Sequence, residues 1–267
     1  MEVNLRPVLL ATWNVNSIRA RLPRLEGFLT EFQPDVLMLQ ETKCAPDQFP
    51  HDELAACGYG ALDHSGGRWC GVAILTPKGR EPTNPVSGLR DEPDPSEARW
   101  VEADVEGGLR VVSVYVPNGR TVDSEHYEAK IRFLEAAARR ASELVVGGNR
   151  LVIAGDMNVA PTDGDVWDIS AFGGSTHVTE RERLALAGLR EAGDLVDAHV
   201  ASLGTAELFT WWDYRGGSFH RGHGMRIDHI LLPGNLAGSI ESFGIARDFR
   251  KGEKPSDHAP VLIRIEP

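Results

Sequence analysis

The chain is 267 residues long, 42% hydrophobic, with a formal net charge of −11. That length suits an α/β architecture with a sizeable core, and residues 1–267 read as a single domain. No stretch approaches the ~18 consecutive apolar residues of a membrane span, so no membrane partner is expected, and the acid excess is the wrong sign for a nucleic-acid binder, since phosphate contacts want Lys and Arg.

In chain order, apolar runs of strand length fall at Val8–Thr12, Val36–Leu39, Val72–Leu75, Val111–Val116, Leu151–Ala154, Ile227–Leu232 and Val261–Ile265. Most are continuously apolar, as expected for strands covered on both faces. Helical patterns lie between some of them. A helix from about Leu22 is limited by Pro34. Tyr127, Ile131, Leu134 and Ala138 repeat at helix period behind an Asp123 cap. Thr179 and Glu182 form a capping box before Leu184, Leu186 and Leu189. The Pro-rich stretch from Arg80 to Pro95 predicts a loop with little room to pair in a sheet. Helices alternating with strands early, and strands dominating late, suggest a layered α/β sandwich.

Met1-Glu2-Val3-Asn4 has neither the basic start nor the cleavage site of a signal peptide. Cys44, Cys57 and Cys70 contain no C-x-x-C, so structural disulfides and a zinc knuckle are not expected, and a cytoplasmic location fits. Basic residues gather locally as Arg19, Arg21 and Arg24, as Arg215, Arg221 and Arg226, and as Arg247, Arg250, Lys251 and Lys254. Each cluster also fits ordinary solvated surface.

Polar residues collect where the apolar runs end. Val8–Thr12 leads into Trp13-Asn14-Val15-Asn16, and Val36–Leu39 into Gln40-Glu41-Thr42-Lys43. The third run of this kind continues through Tyr115 to Asn118-Gly119, and the fourth ends in Gly155-Asp156-Met157-Asn158. Arg226-Ile227-Asp228-His229 opens another run, and Ser256-Asp257-His258-Ala259-Pro260 precedes the last. Taken singly, Asn14 reads as a turn residue, Glu41 as a solvated strand end, and Trp211, Trp212 and Tyr214 as core aromatics. His220-x-x-His223 hints at metal ligation but lies in a Gly-rich segment and reads as loop. Polar groups bounding buried strands are costly unless satisfied, and such breaks mark functional positions. Six of them form one site if the strands lie side by side.

The residue types suit metal-assisted hydrolysis. Oxygen ligands without thiolate favour magnesium or manganese, and a lone carboxylate such as Glu41 suits magnesium, which keeps much of its water. An Asp and a His can activate water and steady a phosphate, while Asn and Tyr can bond its oxygens. Asp228 within its apolar run needs a partner, and a histidine is the natural one. Neither a G-x-S-x-G elbow nor a Walker A loop occurs.

Together these segments resemble the exonuclease III family of abasic-site endonucleases, within the endonuclease/exonuclease/phosphatase superfamily. The resemblance runs from Trp13–Arg19 and Leu39–Lys43 through Tyr115–Gly119, Gly155–Thr162, Phe209–Arg215 and Arg226–Asp228 to Glu253–Pro260. It implies a four-layered α/β sandwich, two mixed β-sheets face to face with helices outside. It also implies magnesium as cofactor, with manganese as a substitute, and duplex DNA with abasic sites or 3′ ends as partner, without an obligate protein partner. By position, Glu41 resembles the metal ligand, with Asn14 beside it and Asp257 nearby. Asp156 resembles the group that orients or deprotonates water, and His258, held by Asp228, the histidine on the phosphate. Asn158 and Tyr115 resemble phosphate contacts. Trp211, Met225 and Ile227 fall where the family walls its sugar pocket, and Asn118, Arg120 and Lys43 where it meets DNA. The implied activity is cleavage of the DNA backbone 5′ to abasic sites and removal of 3′ nucleotides or blocking groups. Two departures, Asn16 for a metal-proximal Asp and Met225 for a Trp, concern the metal surroundings and the pocket. A phosphoesterase acting on inositol or lipid phosphates, an inactive nucleic-acid-binding relative and a secreted nuclease of the deoxyribonuclease I kind are the rival readings. Trp211–Arg215 and Lys43 speak against the first, the full set of acidic residues against the second, and the missing signal peptide and paired cysteines against the third.

Overall fold

In the computed structural model, which describes residues 7–204 and 208–266, each of the seven apolar runs falls on a strand, with Val116 just past the end of one and Ile227 just before the start of another. The residues Met1–Asn4, on which the expected lack of a signal peptide rests, lie outside the described residues. In chain order the elements begin β1 Val8–Asn14, α1 Ile18–Phe32, β2 Val36–Gln40, α2 His51–Ala56, β3 Tyr59–His64 and β4 Val72–Pro77. They continue β5 Thr83–Ser87, β6 Trp100–Val105, β7 Leu109–Tyr115, α3 Glu125–Val146, β8 Arg150–Asp156, α4 Glu180–Ala192, β9 Leu195–Asp197 and α5 Ala198–Leu203. The last third holds β10 Trp211–Trp212, α6 Ser218–Arg221, β11 Gly224–Met225, β12 Asp228–Pro233, α7 Gly234–Ala237, β13 Ile240–Ile245 and β14 Val261–Ile265.

The strands form two mixed six-stranded sheets, ordered β13-β14-β1-β2-β4-β3 and β5-β6-β7-β8-β12-β9, with β10 and β11 as a separate ribbon. Each large sheet contains one parallel pair, β1 with β2 and β7 with β8. Each pair is bridged by a crossover helix, α1 or α3. One apolar cluster lies between the sheets, joining Leu10, Met38 and Ile263 of the first to Val111, Val152 and Ile230 of the second. A second packs α3 and α4 on the outer face of one sheet through Phe133, Leu134 and Leu189. A third packs α1 on the other through Ile18, Leu25 and Phe28. The result is helix, sheet, sheet, helix, with strands buried on both faces and therefore continuously apolar.

Three local expectations are corrected. The Arg80–Pro95 stretch contains β5, which pairs antiparallel with β6 at a sheet edge. Pro85 falls in the register shift between Thr83 and Val86, where its missing N–H costs no ladder bond. Helix α1 starts at Ile18, with the Ser17 hydroxyl capping the Ala20 N–H, and runs through Pro23. The expected start at about Leu22 is therefore four residues late. Ser124, not Asp123, caps α3, accepting from the Tyr127 N–H. The Thr179–Glu182 capping box is present at α4.

Candidate active site

The parallel pairs bring the polar strand ends together. In register, Asn14 of β1 lies beside Gln40 of β2, one residue before Glu41, and Tyr115 of β7 lies beside Asp156 of β8. Antiparallel pairing of β8 with β12 sets Asp228 opposite Asp156. A bridge from Trp211 to His258 brings in the loop before β14. Gly155 permits this closeness: its φ is 153°, and a Cβ there would come within 1.9 Å of the Val114 carbonyl oxygen. Glu41 and Asn158 both have φ of 50°, a left-handed backbone that non-glycine residues seldom hold and that clusters at functional sites.

Hydrogen bonds tie the group into a chain. The Asn14 amide donates to Glu41 Oε1 at 2.7 Å and to Asp156 Oδ2 at 2.9 Å, while Asn14 Oδ1 accepts the Asn16 N–H. Asn14 so oriented spaces the two carboxylates as a donor. His258 Nδ1 lies 2.8 Å from Asp228 Oδ2, and its Nε2 lies 3.7 Å from Asp156 Oδ2. Ser256 donates to the Asn14 carbonyl at 2.7 Å, locking the His258 loop to β1.

Burial and mutual charge set the protonation states. Burial pushes the Asp156 carboxyl up to about 7; His258 opposes the rise, and Asp228 and Glu41 add to it. Burial pulls His258 down, but the Asp228 and Asp156 carboxylates outweigh it and raise its imidazole to about 10. Burial, then Glu41, holds the Tyr115 phenol well above its usual range, so it stays a donor. The site therefore offers an acid poised to ionise near neutrality, a persistent imidazolium and a neutral phenol.

Glu41, Asp156 and His258 each offer an atom within 4.8 Å of one another. With the imidazole protonated, the available donors are carboxylate oxygens, the hard set that suits magnesium or manganese. The Lys43 ammonium touches Glu41 Oε2, so this carboxylate already faces a positive charge. Asp257 stands one step back: its Oδ1 accepts from Asn16 Nδ2 at 2.9 Å and its Oδ2 from Trp211 Nε1 at 3.0 Å.

The remaining expected residues form two flanks. Trp211, Met225 and Ile227 share an apolar cluster with Ala160 and Val166. Met225 and Ile227 are buried in it, while Trp211 keeps a half-exposed face. On the other side, Tyr115, Asn118 and Arg120 line a groove with Arg99 and the exposed Trp69. The Asn158 amide donates to the Val116 carbonyl at 2.8 Å and keeps a second N–H, while its Oδ1 receives Asn118 Nδ2 at 3.2 Å. Sequence reasoning missed His177, whose Nε2 lies 3.1 Å from Asn158 Oδ1. Burial, then the Lys130 charge, lowers this imidazole to about 3, so it is neutral. A lone histidine in a Ser/Thr loop carries no spacing signal that could have found it. His223 stacks on Trp167 at 3.8 Å and takes no part in the Glu41 group.

The wider arginine clusters need one correction. Arg226 is buried and bonded to Asp165 and Asp197, both at 2.6 Å, so it adds nothing to a surface for DNA. Among the described residues no helix is long and apolar enough to cross a membrane.

A model of the endonuclease/exonuclease/phosphatase family matches residues 11–258, which include every strand end described above. The chain belongs to that family. Within the family it is 34% identical to an exodeoxyribonuclease III of Haemophilus influenzae, over 96% of this chain and 98% of that protein. A Neisseria 3′ phosphatase bound to a product DNA hairpin superposes with a TM-score of 0.93 at 33% identity, covering 97% of this chain and 99% of that one. An AP endonuclease from Archaeoglobus fulgidus gives 0.91 at 34% identity, covering 97% and 100%.

Proposed function

We propose that this family member is a DNA-repair phosphodiesterase that hydrolyses the backbone 5′ to abasic sites and removes 3′ nucleotides or blocking groups from duplex DNA. The observation that carries the reading is the meeting of Glu41, Asp156 and the Asp228-held His258 within reach of one phosphate. The similar exodeoxyribonuclease III, 3′ phosphatase and AP endonuclease support DNA as the substrate.

The chain's own groups divide the work. Asp156, poised near neutrality, orients a water and accepts its proton as the water attacks phosphorus in line. The His258 imidazolium, fixed by Asp228, donates from Nε2 to a phosphate oxygen as charge builds there, and the Tyr115 hydroxyl donates beside it. Asn158 contributes its second N–H to the same oxygens. Glu41, spaced from Asp156 by Asn14, would hold a magnesium ion, with Asp257 bracing the neighbouring Asn16 and Trp211. When bound, magnesium supplies neutralisation of charge on the phosphate and the leaving oxygen. Manganese has the same preference for oxygen donors. Trp211 offers the open face against which a base-less sugar rests, and an abasic nucleotide flips at low cost because no base stacking is lost. Asn118, Arg120 and Lys43 contact the strand around the break. Such an enzyme works where chromosomal DNA is, which accords with the cytoplasm.

The test is a parallel assay of an abasic-site duplex and a soluble inositol phosphate with magnesium. Cleavage of the DNA leaving a 3′-hydroxyl, with the inositol phosphate untouched, is the expected result. Preference for the inositol phosphate would move this chain to the lipid-phosphatase branch of the scaffold.

A further inference from the structure

Beneath the Asn118–Asn158–His177 flank lies a buried ion pair outside the Glu41–Asp156–His258 group. Lys130 of α3 and Glu182 of α4 both have fully buried side chains. The Lys130 ammonium contacts Glu182 Oε1 and donates to the Asn158 carbonyl at 2.6 Å, to Thr176 Oγ1 at 3.3 Å and to the Asn118 carbonyl at 3.4 Å. The same Glu182 oxygen accepts the His177 N–H at 2.9 Å, and the other closes the capping box with Thr179. One charge pair thus grips the backbone of three loops: the one leaving β7, the one leaving β8 and the one entering α4.

The side chains borne by those loops converge. Asn118 Nδ2 and His177 Nε2 lie 3.2 Å and 3.1 Å from Asn158 Oδ1. Asn158 and His177 hold φ of 50° and 80°, conformations that a free loop would leave. Gly119 has φ of 84°, and a Cβ there would come within 2.7 Å of Thr176 Oγ1 and 3.1 Å of Lys130 Cδ. The loop therefore rests directly on the pair. A buried ion pair is weak evidence for a gain in stability, because apolar residues of similar volume often do as well. What the apolar substitute cannot do is hold two backbone carbonyls and two N–H groups in place.

We propose that Lys130 and Glu182 are positioning residues for hydrolysis, clamping the backbone beneath Asn118, Asn158 and His177 so that these groups meet the scissile phosphate in register. The inference rests on the functional reading above. A misplacement of ~1 Å at a distance from the chemistry costs about 10²-fold in rate.

The experiment compares the wild type with Lys130→Met, the charge-free double variant Lys130→Met/Glu182→Leu, and Glu102→Gln. The last disturbs a different buried ion pair, with Arg110 and Arg140. Melting, kcat and KM are measured on one abasic duplex, and the side-chain amide NMR signals of Asn118 and Asn158 are followed without DNA. The double variant guards against misfolding from a lone buried charge. It should fold and lose about 10²-fold in kcat, with KM changed by less than about three-fold, while both amide signals move. Glu102→Gln should retain kcat. A folded double variant with wild-type kcat and unmoved amides would overturn the proposal, as would a kcat loss matched by Glu102→Gln. A double variant unable to fold would assign the pair to stability and also overturn it. A wild type inert on DNA would defeat the functional reading instead, and the amide signals would still decide whether the pair sets the loops.

Discussion

Asp156 Oδ2 and His258 Nε2 face each other at 3.7 Å, a buried carboxyl and a buried imidazole with Glu41 on one side and Asp228 on the other. The separation exceeds a direct hydrogen bond, which leaves both groups free to address a substrate between them. Burial acts on both in favour of the neutral form: it raises Asp156, with Asp228 and Glu41 adding to it against His258, whereas at His258 the pull of Asp228 and Asp156 outweighs it.

Asp156→Asn separates catalysis from stability. Hydrolysis of DNA should fall at least ~10²–10³-fold, the usual cost of removing one preorganised group. Stability should move the other way in EDTA at pH 8. The folded state keeps a proton on Asp156 up to about 7, whereas the unfolded chain releases it near 3.8. Stability is therefore full below the unfolded value and lost as pH rises to about 7, and the amide removes that loss. Calorimetry should show the variant melting at least ~2 °C higher at pH 8, with the difference vanishing at pH 4. A lower melting temperature at pH 8 would mean that Asp156 is not held at a cost.

Asp228→Asn should act through His258. The imidazolium's stabilising contribution is complete below 6.5 and is lost as pH rises through about 10. Without the Asp228 carboxylate, burial pulls the imidazole down. The alkaline limb of the kcat/KM profile should then move from near 10 towards 6.5, costing at least ~10-fold at pH 8. An unmoved limb would show that the pair does not govern the step.

Salt dependence should identify which cations meet DNA. Arg24 donates to the Phe249, Lys251 and Glu253 carbonyls, and Arg226 is buried, so both are occupied internally. Arg215 and Lys254 are exposed. Each alanine substitution at Arg215 or Lys254 should reduce the slope of log K against log salt by about 0.9, read by fluorescence anisotropy on duplex DNA. Slopes parallel to wild type would show that these side chains do not touch the backbone.

The central strands were legible because burial on both faces leaves an uninterrupted apolar run, as in Leu151–Ala154. Three of the strands that sequence reasoning passed over differ in physical setting. Tyr59–His64 is half-buried, Thr83–Ser87 is exposed and contains Pro85, and Trp100–Val105 hides Glu102 beneath Arg110 and Arg140. The strand-end motifs pointed to Glu41, Asp156, Asp228 and His258 because each interrupts or bounds an apolar run. Lys130 had a readable signal of another kind: it shares a helix face with Tyr127, Ile131 and Leu134, where a charge is costly without a partner. Its partner Glu182 was legible as a capping residue, but the contact joins two helices that only the fold brings together. His177 depends on loop geometry alone.

The most direct test is one gel with three substrates: a duplex carrying a single abasic analogue, the intact duplex and a nicked duplex, each with magnesium and with EDTA. The account predicts incision beside the abasic analogue and shortening from the nick with magnesium, far weaker attack on the intact interior, and no cutting in EDTA. Equal cutting in EDTA, or equal cutting of intact and abasic strands, would contradict it.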